Sequence, residues 1–116
     1  MIVDDEPDMR ALLRLTLDFA DKGLVVAAEA ANGKEALESW RTDAPDVIVL
    51  DQQMPDLSGL EVAQEILREN PAQPIILFSA YLEPGTRAAA SRLGVRECLP
   101  KDRIEEIPDL ILRHCT

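Results

Sequence analysis

Two tandem acids, Asp4-Asp5, follow the apolar pair Ile2-Val3, and a third acid, Asp51, follows the apolar run Val47-Ile48-Val49-Leu50. Both places read as the ends of β-strands. In an open α/β sheet, ligands bind in the crevice beyond the carboxyl ends of parallel strands, so the three carboxylates are expected to converge on one pocket. Convergence is unfavourable: at an effective dielectric near 20, two like charges about 4 Å apart repel by roughly 4 kcal/mol. Protonation or a cation relieves the repulsion, and a hard divalent metal that prefers oxygen ligands suits such a cluster. Carboxylates with magnesium are the chemistry of phosphoryl groups.

The elements that must carry these acids follow from the apolar spacing. Pro7 is placed to open a helix, continued by Met9, Leu12, Leu13, Leu17 and Ala20 until Gly23. Leu24 to Ala28 reads as a short strand, Asn32-Gly33 breaks it, and Glu35, Ala36, Leu37 and Trp40 resume a helical pattern. Ala44-Pro45-Asp46 ends that helix, and the β-branched run Val47 to Leu50 suits a central strand covered on both faces. After a loop with Pro55 and Gly59, the residues Leu60, Val62, Ala63, Ile66 and Leu67 form a third helix. Pro71 and Pro74 then precede the strand Ile75 to Phe78, with Ser79 at its end. Pro84-Gly85 leads into a helix through Ala88 to Leu93, capped by Gly94; Val95 to Leu99 is a short strand, and Ile104 to His114 the last helix. Five β-then-α alternations imply one doubly wound α/β domain over residues 1–116, with a five-stranded parallel sheet and right-handed crossovers.

A chain of 116 residues is long enough for one real core, and 47% hydrophobic with 3% aromatic residues makes that core aliphatic. Twelve basic against 22 acidic residues leave a formal net charge of −10, which disfavours direct contact with nucleic acid or with an anionic membrane surface. Cys98 and Cys115 form neither a metal-ligand pair nor a disulfide framework. No long apolar run or basic-then-apolar leader is present, so a cytoplasmic protein that does not enter a membrane is expected.

In this layout Asp4, Asp5, Asp51, Ser79 and Lys101 all fall at strand ends and face one crevice. Asp51 is the candidate nucleophile, because an ionised carboxylate can accept a phosphoryl group as an acyl phosphate. Asp5 and Asp51 are expected to bind Mg²⁺ directly, Gln53 through its backbone carbonyl and Asp4 through water, in keeping with the metal's partly hydrated octahedral habit. Lys101 is placed to pair with one phosphoryl oxygen and the Ser79 hydroxyl to donate to another. A group of about two negative charges appearing on Asp51 then gives the loop after Phe78 a new contact, which makes Ser79 a candidate switch.

The combination Ile2-Val3-Asp4-Asp5-Glu6, the run Val49 to Gly59 containing Asp51 and Met54-Pro55, Ser79-Ala80 and Lys101 resembles, over the whole chain, the receiver domain of two-component response regulators. The resemblance implies a flavodoxin-like fold and an active site formed by Asp4, Asp5, Asp51, Ser79 and Lys101. Asp51 would take a phosphoryl group from a sensor histidine kinase, a phosphotransfer protein or a small donor, with Mg²⁺ bound nearby. Phosphorylation would then reshape the face made by the fourth helix, the fifth strand and the fifth helix. Three departures accompany it. The first strand, starting at Met1-Ile2, is about half the usual length; Cys98 stands where receivers generally carry Tyr or Phe; and Lys101 is followed by Asp102 rather than proline. Lysine followed by aspartate, with the segment Ala28 to Gly33, looks most like receivers that regulate transcription through a helix-turn-helix output domain. A truncated first strand and no output domain within these 116 residues are the corresponding expectations.

Such a chain is a phosphoacceptor that assists its own phosphorylation and dephosphorylation rather than an enzyme on a separate substrate, with Gln53 and Tyr81 tuning the lifetime of the phosphoform. Haloacid-dehalogenase-like phosphatases share the chemistry, but their Asp-x-Asp motif and cap domain are not visible here. A phosphorylation-independent interaction module is the alternative, motivated by Cys98 and the short first strand. The phosphodonor is expected to dock beside Met9, Leu12 and Leu13, and a homodimer to form through the last two helices and the strand between them. Trp40 is expected at the core edge, both cysteines in packing roles, and His114 at the carboxyl end of its helix.

Overall fold

A computed structural model describes residues 1–115. The elements, in chain order, are β1 (Ile2–Val3), α1 (Pro7–Ala20), β2 (Glu29–Ala30), α2 (Gly33–Asp43), β3 (Ile48–Leu50), α3 (Gly59–Glu69), β4 (Ile75–Ser79), α4 (Pro84–Leu93), β5 (Glu97–Pro100), a 3₁₀ segment Lys101–Glu106 and α5 (Ile107–His114). All five strands are parallel, in the order β2-β1-β3-β4-β5. This is the expected doubly wound α/β fold, and the chain reverses its winding direction at β1, beside β3.

Alternating strand residues feed two cores. Ile48, Leu50, Ile75 and Leu77 point to one face and pack with Ala36, Val62, Ala63, Ile66 and Ala90 of α2, α3 and α4. Val47, Val49, Ile76 and Phe78 point to the other, against Leu13 and Leu17 of α1 and Ile107, Leu110 and Ile111 of α5. Covering both faces is what makes the central strands unbroken apolar runs. Trp40 lies at the edge of the first core, its indole N–H donating to Gln73 Oε1 at 2.9 Å, and Cys98 and Cys115 pack against the two cores as expected.

Local signals fix the element ends near the site. Pro7 occupies the first turn of α1, Asn32 caps α2 by accepting from the Glu35 N–H at 2.9 Å, and Ser58 with Glu61 forms a reciprocal capping box on α3. Gly59 is required by a close approach: a Cβ there would stand 2.4 Å from the Asp51 carbonyl oxygen.

Two expectations are corrected. The second strand is Glu29–Ala30, not Leu24 to Ala28, because the ladder with β1 pairs Ile2 with Glu29 and Val3 with Ala30. Leu24 and Val26 still pack against the α1–α5 core while Val25 is 85% exposed, so the alternation is real without a partner strand. The last helix does not begin at Ile104. Arg103 has non-helical angles (φ −113°, ψ 35°), and Pro108, lacking an N–H, sits at the first turn of a helix that starts at Ile107. His114 closes the last turn of α5 as expected, and its Nε2 also lies 3.2 Å from Glu97 Oε1 on β5.

Candidate functional site

Asp4, Asp51, Ser79 and Lys101 stand at the carboxyl ends of β1, β3, β4 and β5. The Asp51 N–H donates to the Val3 carbonyl at 2.9 Å, which sets Asp51 beside Asp4 across the switch point of the sheet. Ser79 pairs in register with Pro100, so the hydroxyl-bearing residue lies next to the one that precedes Lys101.

Lys101 draws the site together. Its Nζ is 2.8 Å from Asp4 Oδ2, 3.4 Å from Asp51 Oδ2 and 3.8 Å from Glu6 Oε1. Asp4 is 1% and Asp51 4% exposed, whereas Asp5 and Glu6 face solvent. Burial pushes the Asp51 carboxyl up to about 6; the Lys101 ammonium pulls it down, the Asp4 carboxylate raises it further, and the Gln53 N–H lowers it. Burial pulls the Lys101 ammonium down, and its two carboxylates outweigh that and leave it above its ordinary value.

Asp4 is fastened on three sides. Its N–H donates to the Ala30 carbonyl at 3.1 Å, its Oδ1 accepts from the Glu6 N–H at 2.9 Å, and its carbonyl accepts from Arg10 at 2.6 Å. Oδ2 is left to the Lys101 ammonium. A buried carboxylate oxygen met by the Lys101 ammonium, in a cluster where ligand oxygens of Asp4, Asp5 and Glu6 lie within 4.8 Å of one another, fits a hard divalent cation such as Mg²⁺. Glu6 joins this cluster unanticipated. The only signal for it in the sequence is its adjacency to the acid pair.

Gln53 follows the acid on the β3–α3 loop, and with Tyr81 it lines an adjoining polar cleft of about 440 Å³ that also includes Gln52, Met54, Glu83 and Thr86. A second cavity of about 410 Å³ lies by the amino ends of β1 and β3, walled mainly by aliphatic residues such as Leu17, Val26, Val47 and Ile111.

The doubly wound five-stranded domain thus holds two buried acids, bridged by a lysine, at its switch point. The family described as response regulator receiver domain matches residues 1–112, and the chain belongs to that family. The chemotaxis protein CheY of Thermotoga maritima is 34% identical over 101 residues, covering 87% of this chain and 82% of that protein. The protein-glutamate methylesterase/protein-glutamine glutaminase of Treponema denticola is 37% identical over 98 residues, covering 84% of this chain but 26% of that protein. The chain spans only about a quarter to a third of the methylesterase relatives it matches. The response regulator domain of Thermotoga maritima CheB superposes with a TM-score of 0.88 at 27% identity, covering 98% of this chain and 92% of that one. Receiver domains generally bind Mg²⁺ at an acidic pocket and interact with histidine kinases or phosphotransfer proteins.

Proposed function

We propose that this receiver domain is a phosphorylation switch in which Asp51 accepts the phosphoryl group, Lys101 and Ser79 hold it, and Asp4, Asp5, Asp51 and the Gln53 carbonyl hold Mg²⁺. The supporting observation is the Lys101 ammonium set between the buried carboxylates of Asp4 and Asp51. An ionised Asp51 oxygen forms the new bond to phosphorus as the bond to the donor nitrogen or oxygen breaks, and the leaving imidazole or acetate takes the electron pair. Lys101, on a flexible stem, is within reach of the incoming phosphoryl oxygens, and Ser79 lies on the strand beside it. Bound Mg²⁺ would neutralise charge on the transferred group.

Incubation of the chain with acetyl phosphate tests this: intact mass should rise by one phosphate only with Mg²⁺ present, and Asp51→Asn should remove the gain. A mass gain that survives in Asp51→Asn, or none in the folded wild type, would contradict it. Cys98, half-buried against the α2–α4 core in the position where receivers carry an aromatic, supports the second reading of a phosphorylation-independent module. That reading prevails if Asp51→Asn leaves partner binding and oligomeric state unchanged.

The phosphodonor surface differs from the expected one. Leu13 is 1% exposed and Met9 packs into the α1–α5 core, whereas Leu12, Leu15 and the 92% exposed Phe19 run along α1 beside Pro108. α1 begins just after Asp4 and Asp5, and Asp8 and Glu105 add negative charge at the margin of its stripe, so a donor helix with apolar and basic residues fits it. Replacing Leu15 and Phe19 together by serine is expected to slow transfer from a phosphohistidine donor by about tenfold or more, a loss typical of interface anchors. Phosphorylation by acetyl phosphate should be unaffected; equal losses with both donors would locate the defect in the pocket. An α4–β5–α5 homodimer and control of transcription through an output domain complete the proposal, the latter resting on the Lys101-Asp102 resemblance.

A further inference from the structure

The loop from Asp51 to Ser58 is anchored at both ends. At its base the Gln52 carbonyl accepts from the Gly59 N–H and the Gln52 Oε1 from the Leu60 N–H, each at 2.9 Å, while Gly59 lies against the Asp51 carbonyl. At its tip Asp56 crosses to another helix: Oδ1 accepts from the Gly33 N–H at 2.8 Å and Oδ2 from the Lys34 N–H at 2.9 Å. Oδ1 also accepts from the Leu57 N–H at 2.8 Å, which ties the carboxylate to its own loop. Gly33 comes so close that a Cβ on it would stand 2.7 Å from Leu57 Cβ. Because Asn32 already caps α2 through the Glu35 N–H, Asp56 serves the two first-turn donors that the cap does not reach. These bonds hold the Asp56 carboxyl below its ordinary value.

Between the two anchors lies the Gln53 peptide, whose N–H faces the Asp51 carboxylate. We propose that Asp56 is a positioning residue for the phosphoacceptor pocket: by clasping Gly33 and Lys34 at the start of α2, it fixes the Gln53 peptide against Asp51. The part of this inference that concerns Mg²⁺ rests on the reading of the pocket given above. The part that concerns the peptide does not.

The test compares Asp56→Ala, Asp56→Asn and Asn32→Ala in the whole chain, the last as a control that weakens the start of α2 without touching the loop. In metal-free buffer, ¹H–¹⁵N spectra should show the Gln53 and Met54 amides shifted or broadened in Asp56→Ala and unmoved in Asn32→Ala. Calorimetric titration with Mg²⁺ alone should show affinity reduced about tenfold in Asp56→Ala, the low end of the range for groups that orient metal ligands. Asp56→Asn, whose carbonyl oxygen can still accept from Gly33 and Leu57 but whose amide nitrogen cannot accept from Lys34, should show both changes at reduced size and serves if the alanine variant does not fold. Unmoved Gln53 amides in the Asp56 variants, or equal effects in Asn32→Ala, would overturn the proposal. Moved amides with no Mg²⁺ binding even in the wild type would leave the clasp standing and remove the phosphoacceptor reading instead.

Discussion

Replacing Asp51 with asparagine is expected to make the metal-free domain more stable at neutral pH while removing its capacity to be phosphorylated. The reason lies in the burial that pushes the Asp51 carboxyl from 3.8 up to about 6. Between those two values the folded chain keeps a proton that the unfolded chain has released, so wild-type stability falls as pH rises through roughly 4 to 6 and levels off above. The asparagine variant has no such proton. Its advantage should therefore be near zero at pH 4, grow through that window and be complete by about pH 7. A displacement from 3.8 to about 6 corresponds to about 3 kcal/mol. Water screening at the open mouth of the pocket brings the expected gain to about 1–2 kcal/mol, a shift of several degrees in Tm. Urea unfolding in EDTA at pH 4, 5.5 and 7.5 measures it. A gap independent of pH, or a less stable variant at pH 7.5, would show that Asp51 is not the strained carboxylate. Stability given up at a buried carboxylate is the usual mark of a group kept for chemistry.

How far the pocket could be read from the sequence depended on whether a residue's place followed from an apolar run. Asp4, Asp51, Ser79 and Lys101 close or follow strands whose β-branched composition marks them, so their meeting at one sheet edge needed only the α/β alternation and the switch-point rule. The second strand was misplaced because Leu24 to Ala28 has the composition of a strand, whereas a strand requires a partner ladder, and β1 supplies pairing only at Glu29 and Ala30. The start of α5 was misread because Ile104 fits the helical period; Pro108 was the available signal, since proline belongs in a first turn. Leu13 was assigned to a surface it does not reach, because one helical stripe supplies both the buried face and its exposed margin, and spacing alone does not set the boundary. Asp56 was beyond sequence reasoning for another reason. Its partners, Gly33 and Lys34, are 22 or more positions away and donate through backbone N–H groups that no side-chain pattern reveals. Gly33, read as a break, is where the two segments touch.

Lys101→Met keeps an aliphatic stem and removes the one cation that lies between Asp4 and Asp51. Truncating one partner of a fully buried ion pair costs about 3–5 kcal/mol, and a pocket open to water on one side reduces that to about 2–3 kcal/mol at pH 8 without Mg²⁺. The pH dependence distinguishes charge from packing. Lys101 is held above its ordinary value, so its contribution to the wild type is fully present at pH 5 and at pH 8 and is lost only on further alkalinisation through its folded value. In the variant the Asp51 carboxyl loses the ammonium that held it down and moves still higher than about 6. Its ionised form is then the unfavourable one, and acid relieves the strain by returning the proton. The stability gap between wild type and variant should therefore be widest at pH 8 and shrink on going to pH 5. Adding about 10 mM Mg²⁺ at pH 8 should narrow it as well, because the variant, lacking the competing ammonium, binds the cation more tightly than the wild type and so gains more stability by mass action. A gap of equal size at both pH values would mean that Lys101 contributes through the packing of its stem. A gap that Mg²⁺ leaves unchanged would mean that the lysine and the metal do not share the same carboxylates. The expected pattern would instead make the lysine the occupant of the acid cluster in the resting domain, released toward the phosphoryl oxygens as the cation takes its place.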